Sequence, residues 1–212
     1  MKAFLSIVIF ALGAATLAQV PQAPRAATRT LRSHLGFSYG IPTDWDVVDY
    51  SAEAKEEARQ NAATEADKKG LGCAVMGLQA KHGAPTSMIV EVALPFDCFG
   101  QVMQAGDLPQ FAAGASAALQ QNFDVGEPVL GTYTRGTHSF WIERATATLK
   151  GQPGAAYSIE IACTVGKKAA VCWMTMAADN AALAVFERGM VSVDGDTPEA
   201  LVPETAFDKK PS

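Results

Sequence analysis

The sequence is poor in the residues and motifs that mark the common classes of enzyme. It contains three histidines in 212 residues, and charged residues make up 18% of it, below the usual figure of about a quarter. It has no Cys-x-x-Cys, no Gly-x-Gly-x-x-Gly and no Gly-x-x-x-x-Gly-Lys-Ser/Thr, so the signatures of dithiol redox, dinucleotide-binding and P-loop sites are missing. There is no basic run, and the net charge is −5. Nucleic acid is therefore not an expected partner.

The start of the chain has the pattern of a secretory signal peptide, residues 1–18. Lys2 supplies a positive charge, residues 3–12 are apolar, and residues 13–18 are small, with Thr16 and Ala18 placed for cleavage. The apolar run is shorter than the ~20 residues of a membrane-spanning helix, although an uncleaved anchor is the alternative. The pattern predicts an extracytoplasmic protein, periplasmic or secreted, with no stable membrane insertion after signal cleavage.

The remainder predicts one folded domain between two loosely held ends. Residues 19–34 are rich in Pro, Ala and Arg without an apolar period, which is typical of a flexible leader. Residues 194–212 carry three prolines and mixed charges, which is typical of a C-terminal tail. The predicted domain therefore spans residues 35–193.

All four cysteines follow the predicted cleavage site: Cys73, Cys98, Cys163 and Cys172. An even number in an oxidising compartment predicts disulfide bonds, and four cysteines allow three pairings. A hairpin turning at residues 166–169 would place Cys163 opposite Cys172, where Cα atoms ~4.5–5.5 Å apart suit a disulfide. Cys73 and Cys98, at the outer ends of another strand pair, are then left for each other. A thiol redox pair or a metal site is the alternative.

The apolar periods predict the order ββαββαββββα. The predicted elements are two short strands around Pro42, a helix at 51–69, two strands that carry the first two cysteines, a helix at 107–122, strands near 128–134, 138–149, 155–165 and 169–177, and a helix at 179–191. Paired strands interrupted by helices favour an α+β fold over alternating α/β. We expect one antiparallel β-sheet covered by helices.

The segment GFSYGIPTDWDVV resembles the start of the PsbP-like proteins. The resemblance rests on Phe37, Tyr39, Pro42 and Trp45. It implies an α/β/α sandwich and a binding or accessory role in an extracytoplasmic space. In that family these residues are structural, so the resemblance implies no catalytic residue. The two predicted disulfides and the helix at 51–69 depart from the family pattern.

His138 is the histidine closest to other candidate groups, because His34 and His82 lie in the leader and in a loop. On an alternating strand, His138 and Glu143 point to opposite faces, so we assign no catalytic residue, no metal site and no cofactor. Asp194-Gly195-Asp196 lacks the twelve-residue loop of an EF-hand and is interpreted as a turn.

Trp141 and Trp173 are expected on one face of the sheet. Together with Trp45 they suggest a sugar-binding surface. The preferred alternative is that Trp141 and Trp173 are covered by the helices at 107–122 and 179–191.

Three hypotheses of function follow. We favour an exported, non-enzymatic accessory or binding domain whose partner is an unknown protein or small ligand of the cell envelope. The alternative is an extracytoplasmic hydrolase with a site assembled around His138, which requires a hydrogen-bonded partner in a deep pocket. A thiol-dependent redox protein would instead need an accessible, reactive cysteine.

Overall fold

The computed structural model describes residues 27–48, 73–151 and 154–208. The predicted signal peptide and the predicted helix at 51–69 lie outside these residues. The strands are β1 (Thr28–Arg32), β2 (Phe37–Pro42), β3 (Asp46–Val48), β4 (Val75–His82), β5 (Ser87–Pro95), β6 (Phe123–Val125), β7 (Val129–Arg135), β8 (His138–Leu149), β9 (Ala156–Val165), β10 (Ala169–Ala177), β11 (Met190–Val193) and β12 (Glu199–Ala200). The α-helices are α1 (Phe96–Phe99), α2 (Leu108–Leu119) and α3 (Asn180–Glu187), and 3₁₀ turns occupy Ala105–Asp107 and Glu204–Phe207.

The larger sheet is antiparallel, in the order β3-β4-β5-β10-β9-β8-β6, and β7 pairs with β8 on the edge that β6 also uses. The strands predicted near 128–134, 138–149, 155–165 and 169–177 are confirmed to within a residue at each end. The predicted hairpin register is also confirmed, with Cys163 opposite Cys172 and Ile161 opposite Met174. The chain has the α+β class that its pattern predicts.

A second, smaller sheet in the order β1-β2-β11-β12 corrects the expectation of a single sheet. It also corrects both predicted boundaries of the domain. Thr28–Arg32, within the predicted leader, pairs along β2. In the predicted tail, Leu201 and Ala206 are fully buried. Both segments escaped prediction because their places depend on backbone pairing and on a few apolar side chains, and neither has an apolar period.

Both faces of the larger sheet are covered, which gives three layers. On one face, Trp173 and Phe140 pack in a core with Phe37 and Tyr39 of the smaller sheet and with Phe186 of α3. The 3₁₀ turn at Glu204–Phe207 closes the same core through its buried Ala206. On the other face, α2 packs over a second core that includes the residue pair Cys163 and Cys172.

The helices differ from prediction at their ends. Helix α3 begins as expected, because the Asp179 carboxylate accepts the Ala182 N–H at 2.8 Å. It ends at Glu187, and Met190 starts β11, so the predicted helix end at 191 is wrong. Helix α2 ends at Leu119, so its predicted end at 122 is also wrong. The Asp107 carboxylate, just before α2, accepts the N–H of Gln104 at 2.8 Å.

Two disulfides cross-link the scaffold. Cys73 and Cys98 join the segment just before β4 to α1, with Cα atoms 5.5 Å apart. Cys163 and Cys172 bridge neighbouring strands beneath α2, with Cα atoms 4.1 Å apart. Among the helices of the described ranges, none is long and apolar enough to cross a bilayer.

Candidate functional site

The Asp194-Gly195-Asp196 turn follows β11, and its two carboxylates hold it to neighbouring strands. Asp194 and Gly195 both have positive φ, +54° and +82°, which Gly adopts freely and Asp tolerates. The Asp196 carboxylate accepts the Val193 N–H at 2.7 Å and the Arg135 Nε–H at 3.2 Å. The Asp194 carboxylate accepts the Lys167 N–H at 2.9 Å. The interpretation of this triplet as a turn is confirmed.

His138 lies beside this turn. Its Nδ1 is 3.1 Å from the Val165 carbonyl oxygen; a carbonyl only accepts, so Nδ1 carries the proton. Its Nε2 is 3.9 Å from the Asp194 carboxylate, beyond hydrogen-bond reach. Glu143 points to the opposite face of the sheet, as predicted, and accepts the Trp141 Nε1–H at 3.1 Å. His138 therefore lacks the hydrogen-bonded carboxylate on which an acid–base pair depends.

Trp141 and Trp173 lie on opposite faces of the larger sheet, so the prediction of a shared face is wrong. Trp141 pairs with Cys163 and Trp173 with Ala162, which are consecutive residues of β9. Trp173 is fully buried, and the Phe37 ring packs edge-on against it with the ring centroids 6.0 Å apart. Its cover comes from the smaller sheet, where the sequence predicted a helix.

Of the remaining histidines, His82 is exposed and stacks on Trp45, with ring centroids 5.2 Å apart. His34 is exposed at the edge of a groove lined by Leu35 and Phe96. In the part of the chain that the structure describes, no three His, Cys, Asp or Glu side chains converge as metal ligands. All four cysteines are disulfide-bonded.

An open groove of about 640 Å³ lies beside the Cys73–Cys98 disulfide, and we call it the lysine groove. Leu35 and Phe96 are buried apolar residues of its lining, and the Cys73–Cys98 disulfide forms part of its wall. Lys167 and Lys168 are exposed at its rim, together with Asp97 and His34. The Phe96 N–H donates to the Lys168 carbonyl at 2.9 Å, which ties the lysine turn to the lining.

Another cavity, of about 480 Å³, contains Arg135 in its wall, and we call it the arginine cavity. Tyr133, Thr134 and Arg135 of β7 line it, facing Met190 of β11 and Glu199 of β12. Arg135 is only 7% exposed, and its Cζ lies 5.0 Å from the centroid of the Phe140 ring.

Tyr133 is fixed beside Arg135 in this cavity. Its ring stacks on Phe140 at 4.4 Å, and its hydroxyl donates to the Leu201 carbonyl. Burial raises the pKa of Tyr133, while the neighbouring Arg135 lowers it. The phenol is therefore a neutral, fixed part of the cavity wall.

Two buried glutamates occupy the core between the sheets. Glu91 is 4% exposed and accepts the Trp173 Nε1–H at 3.1 Å; burial raises its pKa to about 7. Glu160 is fully buried and accepts from Arg144 Nε at 3.1 Å and Nη2 at 2.9 Å. Burial raises the pKa of Glu160 to about 7 against the opposing effect of Arg144. Arg144 Nη2 also donates a hydrogen bond to the Glu187 carboxylate of α3. The cluster of Arg144, Glu160 and Glu187 therefore ties the helix to the sheet.

These glutamates did not enter the sequence-based set of candidate residues. Each lies between branched apolar neighbours, in Val90-Glu91-Val92 and Ile159-Glu160-Ile161. A lone acid in such a strand is the only local signal, and it normally indicates a residue that faces solvent. Here that face is covered by the smaller sheet, so the acids are buried.

The chain has a structural neighbour among proteins of known structure. Among solved structures, it is similar to the solution structure of cyanobacterial PsbP (CyanoP) from Synechocystis sp. PCC 6803. The TM-score is 0.46 and the identity 11%, over 82% of this chain and 91% of that one. No protein-family model matches the chain, and a search of curated proteins finds no relative.

Proposed function

We propose that this chain is an exported, non-catalytic binding domain that holds an amphipathic anion in the lysine groove. The observation that carries the proposal is the combination of a buried apolar lining, Leu35 and Phe96, with two exposed lysines at the rim. A groove of about 640 Å³ is within the range of small-molecule sites, ~300–1,000 Å³. The apolar lining would take the body of the ligand, and Lys167 and Lys168 its negative group.

The groove is held in shape before any ligand binds. The Cys73–Cys98 disulfide fixes one wall, and the Asp194 carboxylate fixes the lysine turn through the Lys167 N–H. A preformed site loses less conformational entropy on binding. The same disulfides support an extracytoplasmic location, because such bonds persist in oxidising compartments, and the signal pattern of residues 1–18 agrees.

The experiment is a fluorescence titration of the chain lacking residues 1–18 with the anionic probe 8-anilinonaphthalene-1-sulfonate. The double variant Lys167→Ala/Lys168→Ala should weaken binding about tenfold, since two exposed ion pairs contribute ~0.2–1 kcal/mol each. The matched control is Lys81→Ala/Lys150→Ala, which removes the same charge from exposed positions outside the groove.

A neutral analogue separates the roles of charge and apolar surface. N-phenyl-1-naphthylamine has the same ring system without the sulfonate, and we expect it to bind more weakly and to ignore the lysine substitutions. Near-ultraviolet circular dichroism checks that every variant is folded. The proposal is wrong if both double variants lose affinity equally, or if the neutral probe binds as tightly as the anion.

A further inference from the structure

Arg135 is a buried cation with unused hydrogen-bond donors. Its Nε donates to Asp196 at 3.2 Å. Its Nη1 and Nη2 are both buried and have no hydrogen-bond partner among the residues described. A buried donor left without an acceptor costs ~1–3 kcal/mol, and such groups are uncommon in native proteins. Arg135 therefore needs an acceptor that the described chain does not supply.

The guanidinium is also held in one orientation. One end is fixed by Asp196, which is itself held by the Val193 N–H at 2.7 Å. Its plane is packed near Phe140, with Cζ 5.0 Å from the ring centroid. The Nη1 and Nη2 edge remains, and the two donors of such an edge match the two oxygens of a carboxylate.

We infer that the arginine cavity is a second binding site, separate from the lysine groove, and that it takes a small ligand with a single carboxylate. Arg135 lines this cavity of about 480 Å³. The carboxylate would accept from Nη1 and Nη2. Met190, which is 47% exposed, and Pro203 line the same space and would contact the apolar part of the ligand.

The charges around the cavity select against dianions. The positive charge of Arg135 is already paired with Asp196, and Glu199 adds a second negative charge to the lining. A monocarboxylate gains the two hydrogen bonds at the cost of repulsion from one further carboxylate. A phosphate dianion gains similar bonds but meets about twice that repulsion. Acetate should therefore bind better than inorganic phosphate.

The test is an NMR titration of the ¹⁵N-labelled chain lacking residues 1–18, with sodium acetate, sodium phosphate or sodium chloride at equal ionic strength. We expect saturable shifts of the Thr134, Gly136 and Ala200 amides with acetate, with a Kd in the millimolar range. Phosphate should bind at least about threefold more weakly, and chloride should cause no localised shift. The absence of saturable shifts with acetate would overturn the inference.

Two variants assign the interaction. Arg135→Gln should abolish the localised acetate shifts. Glu199→Gln should tighten acetate about threefold and phosphate by a larger factor, because it removes the like charge at an exposed position. Acetate shifts that persist in folded Arg135→Gln, or an unchanged affinity in Glu199→Gln, would contradict the site. If Arg135→Gln fails to fold, the Glu199→Gln result on its own decides the matter.

Discussion

Glu91 provides the sharpest test of how the core is built. Glu91 is 4% exposed and lies between the two sheets, where its carboxyl group accepts the Trp173 indole N–H at 3.1 Å. Burial raises its pKa from 4.5 to about 7. Because the folded state holds the proton more tightly, the stabilising contribution is complete below pH 4.5. It is lost as the pH rises through about 7.

The magnitude follows from the pKa. Each pH unit between the unfolded and folded pKa values is worth about 1.4 kcal/mol, so the full loss is on the order of 3 kcal/mol. Glu91→Gln removes the titrating group and keeps an oxygen that accepts from Trp173. At pH 8 the variant should therefore be about 2–3 kcal/mol more stable than the wild type. At pH 4.5 the two should agree within about 1 kcal/mol.

The assay is urea unfolding followed by tryptophan fluorescence, repeated from pH 4.5 to 8.5. Glu160 titrates in the same window, with a pKa of about 7, so both proteins lose stability as the pH rises. The difference in unfolding free energy between the wild type and Glu91→Gln isolates the contribution of Glu91. Glu127→Gln, at an exposed position, is the matched control, and its unfolding free energy should depend on pH in the same way as that of the wild type. If the unfolding free energy of Glu91→Gln has the same pH dependence as that of the wild type, Glu91 is not held neutral by burial.

Further substitutions test the packing and the ion pairs between the larger sheet and the segments that cover it. Gly131→Ala would place a methyl group 2.8 Å from the backbone oxygen of Ala206, and it should lower the free energy of unfolding by about 1–3 kcal/mol. Gly114→Ala, in α2, is the control, because its methyl group would meet nothing within 4 Å. It should raise the free energy of unfolding by about 0.5–1 kcal/mol. Equal urea midpoints for these two variants would contradict the close approach. Arg144→Met should cost about 3–5 kcal/mol at pH 8 by leaving the Glu160 carboxylate buried and unpaired, and less at pH 5, where Glu160 is protonated. Adding Glu160→Met should restore most of that loss, and failure to do so would show that Arg144 acts through packing alone.

The strands from 138 to 177 could be predicted because alternation and turn residues both lie within one short segment. The GKKA turn and the apolar alternation allow one register, and that register places Cys163 opposite Cys172. The end of α3 could not be predicted in this way. Leu183, Phe186 and Met190 continue a helical period, yet the helix stops before Gly189. Gly189 packs so closely against the Tyr39 ring that a Cβ at this position would collide with the Tyr39 hydroxyl. That contact joins residues far apart in sequence.

The wrong domain boundaries, the expected single sheet and the unrecognised buried glutamates share one physical origin, the smaller sheet. It is assembled from both ends of the domain, and its outer strand β1 is held by backbone pairing that leaves no apolar signature. Because this sheet covers one face of the larger one, Trp173 is fully buried and the glutamates that alternation assigns to an outer face become core residues. Its strands β11 and β12 also close the arginine cavity over Arg135. The buried glutamates and the arginine cavity therefore escaped sequence interpretation for the same reason as the smaller sheet itself.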